Sequence, residues 1–368
     1  LILKNRILII NWQDWTNPLS GGAEINLFEI FSRLTKTFDI TLLCSRYKNA
    51  LYYEELNNIK IHRIGSRNTF NYYVPFFYYS LSKKNNFDLV IEDLNKIPFF
   101  GKFYIREKRI AILHHLFGKV VFMETNPFFA SYVYICEKLI PKFYRDIPII
   151  AVSKSTKDDL ISRGIPKGNI EVIHNGVNLR HLNFKKNLYE NPTIVALGRL
   201  MRYKRIDILI ETIPEVRKAV PNLRVLVIGS GEHLNYLKIL AKNKKVEDVI
   251  EFLGFISEDK KREILSRSWL SVNTSPKEGW GLTSIEAQAS ETPSIVPDSP
   301  GLIETIKNGK TGYIYPFGDK KTLALYIIDL LKNKEKIRTM GEEGRRWASN
   351  FTWDTSAKKM ENFIENII

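Results

Sequence analysis

Leu270-Ser271-Val272-Asn273-Thr274-Ser275-Pro276-Lys277-Glu278-Gly279-Trp280-Gly281-Leu282-Thr283-Ser284-Ile285-Glu286-Ala287 reads as a strand, a glycine-containing loop and the start of a helix. Glycines let a backbone approach a ligand closely. The N–H groups of the helix start, at Gly281, Leu282 and Thr283, form a site suited to an anionic phosphate. Glu278 falls in the loop, and Glu286 falls just over one turn into the helix. Their carboxylates therefore project from separate points rather than stacking as a metal-binding pair. Taken alone, the same stretch also reads as a plain turn followed by a surface carboxylate.

The strand–loop–helix pattern repeats outward in both directions. Strand candidates before it include Arg6–Ile10, Ile40–Leu43, Ile59–Ile64, Leu89–Ile91, Ile110–Leu113, Ile149–Val152, Ile170–Ile173, Thr193–Leu197 and Arg224–Ile228. Ser294–Val296 and Tyr313–Tyr315 follow it. Helical periodicity covers Ala23–Leu34, Lys154–Ser162, Arg205–Val220, Leu234–Ala241, Asp259–Ser266, Leu282–Ala289 and Lys320–Leu331. Apolar, β-branched strands separated by helices predict parallel sheets covered on both faces. A polar stretch from Asn183 to Asn191, ending at Pro192, divides the chain nearly in half. The expectation is an α/β chain of two Rossmann-like, doubly wound domains, residues 1–183 and 184–352. They would face each other across a ligand cleft at the carboxyl ends of their strands. A last helical segment, 353–368, is expected to pack back on the first domain.

At 368 residues the chain suits two domains. A 44% hydrophobic and 26% charged composition excludes wholesale disorder. Cys44 and Cys136 both lie in apolar runs and read as small buried hydrophobes in a reducing compartment, not as a disulfide framework. The first apolar run is broken by Lys4 and Arg6 and followed by Asn11, Gln13 and Asp14, so no signal peptide is expected. Tyr72–Leu81, the longest aromatic-apolar run, reaches half of the roughly 20 residues a spanning helix needs. A cytoplasmic protein is expected. The net charge of +15 suits nucleotide phosphates, nucleic acid or an anionic membrane, and equally a coat of solvated lysines. Of the 44 aromatic residues, 20 lie between Phe70 and Tyr144, among Lys83, Lys84, Lys102, Arg106, Lys138 and Lys142. Such a segment suits an aromatic core and also the inner face of a cell membrane, where rings sit at headgroup level.

Three further clusters sit at strand ends. Gly198-Arg199-Leu200-Met201-Arg202-Tyr203-Lys204-Arg205 follows the strand Thr193–Leu197, where open parallel sheets bind ligands. Arg199 can fork onto phosphate oxygens and Lys204 can add a point charge; alone, the segment also reads as an exposed basic loop. Pro18-Leu19-Ser20-Gly21-Gly22-Ala23-Glu24 joins the first strand to the first helix. Its glycine spacing is neither the dinucleotide fingerprint nor a Walker A loop. Gly229-Ser230-Gly231 makes a similar turn and reads as structural. His114-His115 follow the strand Ile110–Leu113, and adjacent strand-end residues point to opposite faces, so at most one faces the cleft. Zinc is not expected there, since no partner lies at ligand spacing.

In chain order, these residues resemble the large retaining glycosyltransferase family four, whose fold is called GT-B. The resemblance runs from the Gly21-Gly22 loop and the strand-end histidine through Ala151-Val152-Ser153 and Val172–Asn178. It continues through Gly198-Arg199-Leu200 with Lys204, Gly254–Ser257 and Glu278 to Glu286, then Pro300-Gly301 with Glu304 and Gly309-x-Thr311-Gly312. It implies that Arg199 and Lys204 neutralise a donor diphosphate and that Glu286 accepts from the ribose hydroxyls. Glu278 and the backbone of Gly279, Trp280, Gly281 and Leu282 would hold the transferred sugar. The loop of Gly21 and Gly22 would close over the phosphates or the acceptor, and His114, in preference to His115, would contact the sugar or its phosphate near the reacting carbon. Charge building on the leaving diphosphate would be met by cations and a helix start, with no metal and no cofactor beyond the donor.

The sequence departs from the family pattern at Ala289-Ser290 before Glu291-Thr292-Pro293, at Asn178, and at His115. None of these removes a catalytic group. The resemblance implies a retaining transfer of a hexose from a UDP- or GDP-sugar to a glycan or lipid-linked acceptor in surface polysaccharide assembly. A nucleotide-sugar 2-epimerase is the alternative enzyme reading, and the Glu278/Glu286 spacing with Arg199 and Lys204 counts against it. A nucleic-acid-binding protein relying on its charge is the third, but no recognisable RNA or DNA module appears and no nucleic-acid partner is expected.

Overall fold

Arg6–Ile10 (β1) carries four consecutive apolar side chains, all fully buried. A strand buried on both faces belongs in the middle of a covered parallel sheet, and β1 lies there. A computed structural model describes residues 4–95, 97–179 and 187–368. The expected domain boundary at 183/184, with the start of the polar stretch, lies outside the described residues. The chain forms two units. The first runs to Val121 and adds Pro127–Gly176 and Trp353–Ile368; the second holds Phe122–Asn126 and Val177–Thr352.

The sheet of the first unit contains β2 (Asp39–Ser45), β3 (Tyr53–Leu56), β4 (Ile59–Ile64), β5 (Leu89–Leu94), β6 (Lys108–Leu113), β7 (Ile149–Ala151) and β8 (Ile170–Val172) beside β1. Their order is β3-β4-β2-β1-β5-β6-β7-β8. Every pairing is parallel except the edge pair β3–β4. β3 escapes a sequence reading because its Tyr-Glu-Glu-Leu carries no apolar run. It is placed instead by contacts from afar: the fully buried Arg63 of β4 pairs with Glu54 of β3 and, at 2.6 Å, with Asp14. Cys44 is free and buried as expected, but its thiol donates to Asp14 Oδ2 (3.4 Å) and does not act purely as a small hydrophobe. Helices α1 (Gly22–Leu34), α2 (Phe70–Lys84), α3 (Pro127–Tyr144) and α4 (Lys154–Ser162) connect the strands. α2 and α3 contain internal prolines and dense aromatics, which obscure a helical period.

In the second unit all six strands are parallel: β9 (Thr193–Leu197), β10 (Arg224–Ile228), β11 (Ile250–Gly254), β12 (Leu270–Val272), β13 (Ser294–Pro297) and β14 (Gly312–Tyr315). The order is β11-β10-β9-β12-β13-β14. Helices α5 (Ile206–Ala219), α6 (Leu234–Asn243), α7 (Glu258–Arg267), α8 (Leu282–Ala289), α9 (Lys320–Leu331) and α10 (Lys334–Ala348) cover it. α10 had no counterpart among the helical patterns read from sequence; its buried Gly344 faces Gln288 of α8, while Ile337 and Met340 join the main core of the second unit. Val177 belongs here because its N–H donates to the Phe351 carbonyl (2.9 Å).

Both sheets reverse their winding at one point. In the first it falls between β1 and β5, in the second between β9 and β12. Loops leaving the carboxyl ends of strands on either side of such a point diverge and leave a crevice. In the first unit α11 (Trp353–Glu365) returns to pack on α1. Arg33 of α1 donates to Asp354 (2.9 Å), and Ser356 donates to the His174 carbonyl (2.6 Å).

Candidate functional site

The loops after β9 and β12 hold the residues the sequence assigned to the donor in the second unit, except Leu282 and Glu286, which lie in α8. Lys204 ends a tight turn over Arg202–Lys204, and its ammonium pairs directly with the carboxylate of Glu278 in the other loop. Thr274 Oγ1 donates to the Lys204 carbonyl (2.9 Å), which ties the two loops together. Burial pulls the Lys204 ammonium down, but the Glu278 carboxylate beside it outweighs burial and holds it above the ordinary lysine value. Arg199, exposed on the same loop, donates to Tyr203 Oη (3.1 Å). The Gly229–Gly231 turn acts as a buttress: the Leu200 N–H donates to the Ser230 carbonyl (2.8 Å), and the His233 N–H to the Leu200 carbonyl (3.0 Å).

The 276–281 segment is held from behind by Pro300 and Gly301. The Glu278 N–H donates to the Pro300 carbonyl (3.1 Å), and the Gly281 N–H to the Gly301 carbonyl (3.2 Å). Gly301 sits at φ +79°, and a Cβ there would fall 2.2 Å from the Glu278 carbonyl oxygen. Only glycine meets both demands. Gly279 and Trp280 are buried, and the Trp280 ring meets Phe351 edge-on at 5.0 Å.

The start of α8 differs from the sequence expectation. Gly281, at φ −74° and ψ 59°, is an inverse γ-turn, and the Leu282 N–H donates to the Trp280 carbonyl (2.8 Å). With Gly281 also engaged, two of the three amides assigned to phosphate are occupied within the chain. Among the described residues, the Thr283 amide is the one of the three with no backbone acceptor. The reason is the tight entry imposed by the Gly301 contact, which no spacing within 276–287 encodes.

Glu286 is not a free surface carboxylate. It accepts from Lys261 of α7 (2.8 Å), which also pairs with Glu258 (2.8 Å). Burial would lower the Lys261 ammonium, and the Glu286 and Glu258 charges raise it above its ordinary value. Lys261 was missed because its partner is 25 residues away in sequence and it stands within an unbroken charged run, Glu258 to Glu263.

In the first unit a second cluster gathers at its own switch point. His114 is 6% exposed, and its Nε2 lies 2.9 Å from Asp93 Oδ1 at the end of β5. His115 is half-buried, its ring 4.2 Å from that of Phe117. Gly22 is exposed and begins α1; the Gly21 N–H before it donates to Glu24 Oε2 (2.7 Å). Glu24 and Asp93 are themselves buried, and Glu24 Oε1 and Asp93 Oδ2 have no hydrogen-bond partner. Burial pushes the Glu24 carboxyl up, the Gly21 and Glu24 N–H groups pull it down, and the nearby Asp93 charge adds to the rise. For His114, burial works downward and is overcome by the Asp93 charge and hydrogen bond, with Glu24 helping, so the imidazole stands above its ordinary value. The signals for these two acids lay in the sequence: Glu92-Asp93 closes an apolar strand, and Glu24 stands three residues after Gly21.

Two family models match in tandem, "Glycosyltransferase Family 4" over residues 20–181 and "Glycosyl transferases group 1" over residues 180–347. Between them they span both units, and the chain belongs to these glycosyltransferases. Its fold is of the GT-B type, two Rossmann-like parallel-sheet domains. Sucrose-phosphate synthase from Thermosynechococcus elongatus superposes with a TM-score of 0.81 over 99% of both chains at 20% identity. HepE from Anabaena in complex with UDP-glucose does so with a TM-score of 0.77 over 98% of this chain and 99% of that one, at 19% identity. Among curated relatives, a GDP-mannose-dependent α-(1-6)-phosphatidylinositol monomannoside mannosyltransferase from Mycobacterium tuberculosis is 29% identical over 58% of this chain. That match spans 60% of the relative's length.

Proposed function

We propose that the chain is a retaining, metal-independent hexosyltransferase acting on a UDP- or GDP-sugar. The observation that carries this is the Lys204–Glu278 pair, joined across the β9 and β12 loops with Arg199 on the same β9 loop. A cation and a carboxylate at a strand-end switch point suit a ligand that is anionic at one end and polyhydroxylated at the other. A donor diphosphate would take Lys204 and Arg199 as counter-charges. Glu278, released from Lys204, would accept from hydroxyls of the sugar, helped by the backbone of Gly279 and Trp280, the Gly281 and Leu282 amides being engaged within the chain. Glu286 would accept from the ribose, with Lys261 fixing its rotamer. In the reaction the acceptor hydroxyl oxygen forms a bond to the anomeric carbon and the bond from that carbon to the diphosphate oxygen breaks. The hydroxyl proton passes to the departing phosphate on the same face, so configuration is kept.

The negative charge that develops on the leaving diphosphate is met by groups already in place, which is where such sites gain most of their rate. We assign His114 and Gly22 to the same reaction as the contributions of the first unit. Gly22 supports that assignment because a Cβ there would meet nothing within 4 Å, so packing does not demand a glycine. The acceptor we propose is a glycan or a lipid-linked saccharide in surface polysaccharide assembly, at the cytoplasmic side of a membrane. The curated mannosyltransferase acts on a phosphatidylinositol monomannoside with GDP-mannose, a donor and acceptor of this kind. Transfer from radiolabelled UDP- and GDP-hexoses to membrane glycolipids is the direct test. Lys204→Ala and Glu286→Ala should each lower turnover by on the order of 10²-fold to 10³-fold with an unchanged circular dichroism spectrum. Normal turnover in both variants would remove the site assignment.

A further inference from the structure

The outer faces of α2 and α3 carry rings where solvated helices carry charge. Phe76 is 74% exposed and Phe128 is 79% exposed; Tyr72, Tyr79, Phe129 and Tyr132 are exposed as well. Scattered apolar residues on a surface need no explanation, whereas a contiguous patch does. This patch is contiguous. The side chains of Tyr72 and Tyr132 meet, joining the two helices. At the start of α3 the rings of Phe128 and Phe129 meet edge-on at 5.7 Å.

The charge on this face has one sign. α2 contains no acidic residue. The single carboxylate of α3, Glu137, is buried and accepts from the backbone N–H groups of Phe117 (2.7 Å) and Gly118 (2.8 Å). Cations stand among the rings: Lys83 over Tyr79 at 4.3 Å and Lys138 over Tyr134 at 4.7 Å. Among the described residues no helix is long and apolar enough to cross a membrane.

We infer that the α2–α3 face is a docking surface for an anionic lipid bilayer. Rings at headgroup depth and lysines toward lipid phosphates are the combination that holds a helix in the plane of a membrane. A second copy of the chain would match the rings but set lysine against lysine with no carboxylate to receive them. A nucleic-acid strand would need a basic groove to track its backbone, and here the cations flank rings on helix exteriors. The surface rests on the proposed transfer only in giving it a membrane-held acceptor; docking itself is independent of the donor site.

The test is co-sedimentation of the full chain with sucrose-loaded vesicles, either pure phosphatidylcholine or with about 30% phosphatidylglycerol. Binding should be at least tenfold stronger to the anionic vesicles and should weaken with salt. Phe76→Ser with Phe128→Ser should weaken it by about tenfold or more, from the loss of two inserted rings, and Lys83→Glu with Lys138→Glu should abolish the preference for anionic lipid. Both pairs are exposed, so an unchanged melting temperature and unchanged binding of a nucleotide sugar should accompany the loss. Absence of vesicle binding, or equal binding by wild type and variants, overturns the inference. So does a concentration-dependent dimer abolished by Phe76→Ser/Phe128→Ser, or oligonucleotide binding lost in the same variants. Vesicle binding without hexosyl transfer would sink the proposed function and leave the docking surface standing.

Discussion

Asp93 holds His114 by charge as well as by a hydrogen bond, and the two effects can be separated by pH. The imidazole is raised above its ordinary value in the folded chain, against the downward pull of burial, because Asp93 and Glu24 face it. A raised histidine adds stability that is fully present below its unfolded value, about 6.5, and is lost as pH rises through the folded value. Asp93→Asn removes the charge and leaves burial, so the His114 titration should move down. The stability difference between wild type and Asp93→Asn should therefore be larger at pH 6 than at pH 9. Titration of the His114 ring by NMR, with urea unfolding at both pH values, checks this; an unmoved midpoint would mean that Asp93 does not control the ring. If His114 serves the transfer as proposed, the pH–rate profile of the variant should shift in the same direction.

Among the elements, α11 shows how far apart in sequence a packing unit can be. It follows the whole second unit, yet its buried Met360 and Ile364 belong to the first. The α1 helix it covers begins at Gly22 and carries Glu24. Ending the chain after Thr352 would uncover that side of α1. Returning Met360, Ile364 and Trp353 to water costs on the order of 5 kcal/mol, comparable to the full stability of a domain. The truncated chain should therefore lose protection of the β1–α1 amides in hydrogen exchange while the β9–β12 amides keep theirs. Equal protection in both forms would show that α1 does not depend on α11.

At the scale of the whole molecule, ligand linkage distinguishes the proposed donors. A nucleotide sugar that binds only the folded second unit adds stability that grows with its concentration, about 2.7 kcal/mol at a hundred times its dissociation constant. UDP-, GDP- and ADP-sugars should therefore separate in a thermal-shift series, with one base giving the large rise, and Lys204→Ala should flatten it. Chelation with EDTA should leave both the shift and the turnover unchanged, since Arg199 and Lys204 are proposed to do the work of a divalent ion. A strong loss on chelation would contradict that mechanism.

What the sequence determined by itself is largely what local chemistry encodes. Buried parallel strands need uninterrupted apolar runs, so β1, β9 and β10 were readable to the residue, as was the glycine-bearing loop around Glu278. β3, α2 and α10 were not, because a Tyr-Glu-Glu-Leu edge, an aromatic helix with an internal proline and a highly charged helix hide their periods. Tertiary structure alone decided which charges meet. Lys204 with Glu278, Lys261 with Glu286 and His114 with Asp93 are separated by 74, 25 and 21 residues. No spacing rule reaches across such distances; the winding of each sheet about its switch point does. The same holds for the amides at the start of α8: sequence offered three, and the approach of Gly301 to Glu278 left one, because backbone contact is fixed by packing and not by the order of residues.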